Sequence, residues 1–234
     1  MRRFFIEEIM ERDGSCVISG SEARHIRKVL RMDPGDRFIL MDGKGSRFQA
    51  VITSAKHKDL AVCLEKRLPE PPPSPIKTTL CQALLKSRPM DYMVQKTSEL
   101  GVNRISPFSS ERTVVRLEKD ADRNAPAEIS AISSFQELTR QFGCEEGLKL
   151  ILWEEEDTKD LKEVLRRCDP ARQFIGIVGP EGGFTGEEIR TAKEAGFISV
   201  SLGHRILRAE TAAISLIGIV QYEWGDLSLN SKKR

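Results

Sequence analysis

Residues 175–188 read IGIVGPEGGFTGEE, and residues 202–213 read LGHRILRAETAA. The first stretch runs from an apolar strand pattern through Gly179-Pro180-Glu181-Gly182-Gly183 into a segment opened by Thr185. Glu188 follows three residues later, the spacing of a capping box at a helix N-terminus. Gly182 and Gly183 allow positive φ and let backbone approach a ligand with no Cβ in the way. The second stretch follows FISVSLG (197–203), a further apolar strand pattern, and carries Arg205, Arg208 and Glu210 ahead of the last helix. Taken singly, each loop has an ordinary explanation. A tight strand-to-helix turn accounts for the first, salt bridging for Arg205 and Arg208, and a favourable charge at a helix N-terminus for Glu210. Together they place two glycine-bearing, charged loops at one end of the same sheet, which points to a ligand site. No Lys-Ser/Thr follows the glycines and their spacing is not G-x-G-x-x-G, so the common nucleotide fingerprints are absent.

Outward from these loops the chain alternates. Strands are expected at 78–85, 103–108, 148–153, 173–179 and 197–203. Helices are expected at 91–101, 125–141, 160–168 and 185–196, with a last one beginning near Arg208. Such alternation implies right-handed crossovers and a mainly parallel sheet covered by helices, with ligands at the carboxyl ends of its strands. The last helix, TAAISLIGIVQYEW (211–224), is apolar on more than one side, as expected if it packs on its own sheet and also on a second subunit.

Upstream the pattern differs. LPEPPPSP (68–75) holds five prolines in eight residues and reads as an extended spacer. Before it, RFFI, CVIS, RFILMDG, RFQAVITSA and LAVCLEK are short β-branched or aromatic-bearing runs broken by turn signals such as Asp42-Gly43, the pattern of a small barrel or sandwich. Within it ARHIRKVLRM (23–32) holds Arg24, Arg27, Lys28 and Arg31 with no acid. At helical spacing those four share one side while Ile26, Val29 and Leu30 take the other, a solvated face or a stripe for phosphates. The expected division is 1–68, a 69–75 linker, and 76–234, ending in a frayed basic tail, SLNSKKR.

Composition narrows the function classes. Of the 234 residues 39% are hydrophobic and 31% charged, as in soluble globular chains. The run AAISLIGIV (212–220) is far short of a bilayer span, and the N-terminus carries acids where a secretory signal is apolar, so a cytoplasmic location is expected. Five dispersed cysteines and three scattered histidines give no disulfide framework and no metal site, and the cysteines read as small buried thiols. The net charge of +2 announces no nucleic-acid partner by itself.

GPEGGFTGEE and LGHRILRAETAA closely resemble the two C-terminal motifs of the RsmE family of ribosomal RNA small-subunit methyltransferases, of the SPOUT class. KSRPMDYMVQKTSELGVNRISPFSSERTVVR (86–116) resembles the family's segment after the linker, and RRFFI, HIRKVLR, GDRFILMDGKG and RFQAVI resemble its PUA-like N-terminal domain. The resemblance implies a small N-terminal PUA-like β-barrel and an α/β domain with a trefoil knot whose loops bind S-adenosylmethionine. It also implies a homodimer formed through the knot and, as product, N3-methyluridine in the decoding region of 16S rRNA. One run departs: SSFQELTRQF (133–142) keeps Arg140 but has Glu137 where the family more commonly has Gln.

On that resemblance, the cofactor would be held by Val178, Gly179, Pro180, Gly182 and Gly183 and by Leu202, Gly203, Arg205, Ile206 and Leu207. Arg208 would stabilise charge developing on the uracil. Glu210 would orient that arginine or relay the proton, with Glu181 as the second acid. Arg2, Arg3, Arg24, His25, Arg27, Arg31 and Arg140 would contact RNA. Two rivals remain at this stage, a noncatalytic RNA-binding dimer and a nucleotide hydrolase; the missing Lys-Ser/Thr weighs against the second, and the paired loops weigh against the first.

Overall fold

The computed structural model describes residues 1–6, 8–42, 45–55, 59–69, 73–113 and 128–228. Two compact units divide the chain, Met1–Pro73 and Ser74–Arg234, so the boundary falls inside the proline-rich stretch.

In the first unit β1 (Arg3–Ile6), β2 (Ser15–Ile18), β3 (Arg37–Asp42), β4 (Arg47–Ser54) and β5 (Leu60–Arg67) form one sheet in the order β1-β3-β4-β5-β2. β1 lies parallel to β3; the remaining pairings are antiparallel. Alternate residues point one way, as strand geometry dictates. Phe4, Ile18, Phe38, Leu40, Ala50, Ile52, Leu60 and Val62 therefore converge from all five strands on one core, with Ala23 and Ile26 closing it.

The basic segment differs from a plain amphipathic helix. α1 (Gly20–Arg24) passes into a π-helical turn, His25–Val29, where the Leu30 N–H reaches the His25 carbonyl at 3.1 Å. That wider turn rotates Val29 out of the apolar stripe, leaving it 65% exposed while Ala23, Ile26 and Met32 stay buried. Arg31 then takes φ +51° and ends the helix.

The second unit is a three-layer α/β structure. β6 (Lys77–Ala83), β7 (Arg104–Ser109), β8 (Glu128–Ile129), β9 (Ser133–Ser134), β10 (Leu148–Leu152), β11 (Gln173–Val178) and β12 (Ile198–Val200) form one sheet. Its order is β12-β10-β11-β6-β7-β8, β9 also pairs β7, and every pairing is parallel. One face packs on α2 (Ser87–Glu99), α4 (Leu161–Arg167) and α6 (Ala209–Glu223), through Met93, Leu161, Leu165, Leu216, Ile217 and Val220. The other packs on α3 (Phe135–Gly143) and α5 (Gly186–Glu194), through Phe135, Leu138, Phe142, Ile189 and Ala192.

The helix expected over 125–141 is shorter. Residues 125–127 lie outside the described residues, and Glu128–Ile129 and Ser133–Ser134 pair with β7 instead. α3 starts at Phe135, because the Ser134 hydroxyl accepts the Glu137 N–H and the Glu137 carboxylate accepts the Ser134 N–H at 2.8 Å. The glutamate that departs from the family's usual glutamine is thus the reciprocal half of a helix cap. Cys16 and Cys81 are buried, and burial pushes both thiols up; Cys144, at the end of α3, is exposed rather than buried. No helix among the described residues is long and apolar enough to cross a membrane. Gly43, Lys44, Glu70–Pro72, 114–116 and the tail 229–234, all named in the sequence reading, lie outside the described residues.

Candidate active site

Three loops meet at the carboxyl end of the sheet, after the neighbouring strands β12, β10 and β11. They enclose a cavity of about 790 Å³ lined by residues 152–160, Val178–Glu181, Gly183, 200–209 and Ala212. That volume is in the range of sites for small organic ligands, and its position is where parallel α/β sheets bind them.

Each loop is fixed by its own chemistry. After β11 the Gly183 N–H donates to the Pro180 carbonyl at 3.0 Å, closing a tight turn. Gly183 sits at φ +69°, so the backbone requires glycine; a Cβ there would also fall 1.9 Å from Oε1 of Glu154, the movable end of an exposed side chain. Phe184 then inserts into the core beside Phe135 and Phe108, with ring centroids 5.5 Å and 6.4 Å away. Thr185 and Glu188 form the reciprocal cap that starts α5. Glu188 is buried, and Oε1 also accepts the Glu111 N–H at 3.0 Å, while Nη1 of Arg112 donates to the Gly182 carbonyl at 3.1 Å. The loop after β7 therefore braces the glycine turn. From β6, Nε2 of the fully buried Gln82 donates to the carbonyls of Ala83 at 3.0 Å and Gly179 at 3.3 Å, tying the turn to the next strand.

The loop after β10 is stitched to β12. The Trp153 N–H donates to the Val200 carbonyl, the Ser201 N–H to that of Lys159 and the Leu161 N–H to that of Ser201. Glu156 is buried there and accepts from the Ser199 hydroxyl and from Oγ1 of Thr158 at 2.5 Å. Burial works against its charge, but these hydrogen bonds and Lys193 at 4.0 Å outweigh it and hold the carboxyl below its ordinary range.

Comparison with known proteins gives the same answer from sequence and from shape. Residues 72–126 and 119–221 match the family described as RNA methyltransferase domain, and 18–64 match RNA methyltransferase PUA domain. Ribosomal RNA small subunit methyltransferase E of Bacillus subtilis is 26% identical, with 95% of this chain and 97% of that protein aligned. Ribosomal RNA small subunit methyltransferase E from Neisseria gonorrhoeae, solved bound to S-adenosyl methionine, is 31% identical at a TM-score of 0.73, over 97% of this chain and 100% of that one. A Legionella pneumophila protein solved with the bound cofactor SAM is also 31% identical, at a TM-score of 0.75 over 96% and 98% of the two chains. The chain belongs to the ribosomal RNA small subunit methyltransferase E family.

Within this RsmE-family fold, the residues singled out in the sequence divide by position. Val178, Gly179, Pro180, Gly183, Leu202, Gly203, Arg205, Ile206 and Leu207 line the cavity, as do Glu181 and Arg208. Gly182 is outside the wall, its carbonyl turned to Arg112. Glu210 stands in the first turn of α6, also outside the wall, and among the described residues no hydrogen bond or ion pair joins it to Arg208. Arg208 is the residue before α6, its carbonyl accepting the Ala212 N–H at 2.8 Å.

In the small unit Arg2, Arg3, Arg24, His25 and Arg31 are exposed and Arg27 is half-buried. Nη1 of Arg2 donates to the Leu30 carbonyl at 3.1 Å, which brings the start of β1 beside the end of the basic helix. Arg140 is exposed on α3 of the second unit.

Sequence reasoning missed the third loop, WEEEDTKD (153–160), which supplies nearly a third of the lining. The available signal was that LKLILW ends at the same sheet edge as the two recognised strands and is followed at once by four acids. Among the described residues no group of His, Cys, Asp and Glu is arranged to hold a metal ion.

Proposed function

We propose that this chain methylates N3 of a uridine in the decoding region of 16S rRNA. The coarser statement, an S-adenosylmethionine-dependent methyltransferase acting on small-subunit ribosomal RNA, follows from membership of the RsmE family. The observation that carries it is the cavity itself, built from the two family motifs and the loop after β10 at one sheet end.

The residues present fit the cofactor. The backbone of 178–181, Gly183 and 202–207 surrounds a volume suited to an adenosine-sized ligand, and Gly183 leaves the turn open where a Cβ would fill it. When bound, S-adenosylmethionine supplies a methyl group on a sulfonium, an electrophile that needs no metal assistance. Leu202 and Leu207, both half-buried, form apolar walls, while Ile206 on the same lining is almost wholly exposed. Uridine N3 carries a proton at neutral pH, so the protein must take up that proton and stabilise the negative charge spread over N3, O2 and O4. Arg208, exposed and on the cavity wall, is the group proposed to face that charge. Glu181 lines the cavity and Glu210 does not, which favours Glu181 for receiving or relaying the proton and leaves Glu210 for orienting Arg208 once substrate is bound. An ordinary carboxylate is a weak base for this task, so positioning and electrostatics carry most of the rate.

RNA contacts are proposed for Arg2, Arg3, Arg24, His25, Arg27, Arg31 and Arg140. A homodimer is supported by apolar side chains left in solvent on or beside α6: Ile206 is 96% exposed, Tyr222 62% and Ile219 37%. The trefoil knot and a cytoplasmic location belong to the same proposal.

The decisive experiment incubates the protein with isotope-labelled S-adenosylmethionine and either small subunits lacking the modification or naked 16S rRNA, then identifies labelled nucleosides by mass spectrometry. Labelled N3-methyluridine is expected. A different labelled nucleoside would overturn the choice of base, and cofactor binding without label on either RNA would overturn the choice of substrate.

A further inference from the structure

The cavity wall is electrically lopsided. Six carboxylates line it, Glu154, Glu155, Glu156, Asp157, Asp160 and Glu181, against three cations, Lys159, Arg205 and Arg208. Two of the six are committed elsewhere: Glu156 to Ser199 and Thr158, and Asp160, whose Oδ1 caps α4 through the Glu163 N–H at 2.7 Å. Glu154 is in a different situation. Like Glu155, Asp157 and Glu181, it is exposed and makes no hydrogen bond or ion pair among the described residues, and its Oε1 lies 1.9 Å from where a Cβ on Gly183 would stand, at the meeting of the loops after β10 and β11. An uncompensated carboxylate at the junction of two ligand-holding loops favours a ligand of positive charge.

Resting on the reading that this cavity takes S-adenosylmethionine, we propose that Glu154 makes the site prefer the sulfonium cofactor over its thioether product, so that Glu154 governs product release. The chemistry of the reaction supplies the reason. When N3 attacks the methyl carbon, the carbon–sulfur bond breaks and its electron pair returns to sulfur. S-adenosylmethionine, with sulfonium, ammonium and carboxylate, carries a net positive charge; S-adenosylhomocysteine, with ammonium and carboxylate alone, is neutral. The two ligands otherwise share adenine, ribose and amino-acid groups. The shared groups give binding common to both, and only a charge facing the sulfur end separates them. A wall carboxylate therefore acts as a positioning and specificity group that loses its counter-charge at the moment of transfer, weakening the hold on the product without any movement of the protein.

The test is calorimetric and requires no turnover. S-adenosylmethionine and S-adenosylhomocysteine are titrated separately into the intact chain, the Glu154→Gln variant and the Glu154→Asp variant. Glutamine keeps the shape and removes the charge; aspartate keeps the charge and shortens the reach. The ratio of the two dissociation constants is expected to favour S-adenosylmethionine in the intact chain, and Glu154→Gln is expected to reduce that preference by about two- to five-fold, the size of an exposed charge pair. Glu154→Asp should retain most of it. Added salt should erode the preference in the intact chain and leave the glutamine variant little changed. Equal weakening of both ligands in Glu154→Gln would overturn the inference and leave the residue a merely structural one, as would an unchanged ratio. Failure of the intact chain to bind either ligand would overturn the cofactor reading and the inference together.

Discussion

Oε1 of Glu188 accepts the backbone N–H of Glu111 at 3.0 Å, joining the cap of α5 to the loop that leaves β7. The other carboxylate oxygen accepts the Thr185 N–H at 2.9 Å, so one buried side chain satisfies two backbone donors from distant parts of the chain. Replacing Glu188 by Ala leaves both unpaired and should cost about 1–3 kcal/mol of stability, seen as a lower midpoint in urea unfolding. An unchanged midpoint would show that solvent replaces these bonds.

Gly183 tests the turn itself. Gly183→Ala places a side chain in the left-handed region and drives its Cβ onto Glu154. A strain cost of about 1–2 kcal/mol is expected, together with at least a ten-fold loss of S-adenosylmethionine affinity by calorimetry. Wild-type affinity would mean that the turn is not part of the ligand site.

Arg208→Ala separates chemistry from binding. Loss of one preorganised group facing developing charge lowers the chemical step by about 100- to 1000-fold. Cofactor affinity should stay within a few-fold, because the cofactor contacts proposed for this loop are backbone and apolar. A matching loss of cofactor binding would reassign Arg208 to the cofactor.

On the small unit, the Arg24→Ala, Arg27→Ala, Arg31→Ala triple variant should weaken RNA binding and flatten its dependence on salt. Three lost phosphate contacts reduce the slope of log affinity against log salt by about two to three. The rate with saturating RNA should be preserved, since contacts to phosphate position the substrate without taking part in the reaction.

Glu156 gives the fold an acid-sensitive point. Its folded carboxyl lies below its ordinary value of 4.5, so its contribution is fully present above that value and is lost as pH falls through the folded one. Unfolding midpoints of the intact chain should therefore drop over that acid range more steeply than those of Glu156→Gln. Parallel curves would show that the Ser199 and Thr158 hydroxyls bond the neutral and charged forms equally.

Short β-branched or aromatic-bearing runs broken by turn signals located all five strands of the small unit, and the Thr185–Glu188 spacing located the start of α5, because both signals are local, set within a few residues. The same kind of signal stands at Ser134–Glu137, where α3 begins, whereas the expected helix started at 125. What the sequence could not provide depended on partners far along the chain. Glu128–Ile129 and Ser133–Ser134 are strands only because β7 offers its edge, and Val29 faces solvent only because a π turn rotates it. The motifs in the sequence determined the family, the cofactor and most of the cavity's wall. The tertiary structure alone decided that Glu181 lines the cavity while Glu210 does not, and that Glu154 meets Gly183. Strands β12, β10 and β11 are neighbours in the sheet but not in chain order, so the wall is assembled by hydrogen bonds between segments that no local pattern connects.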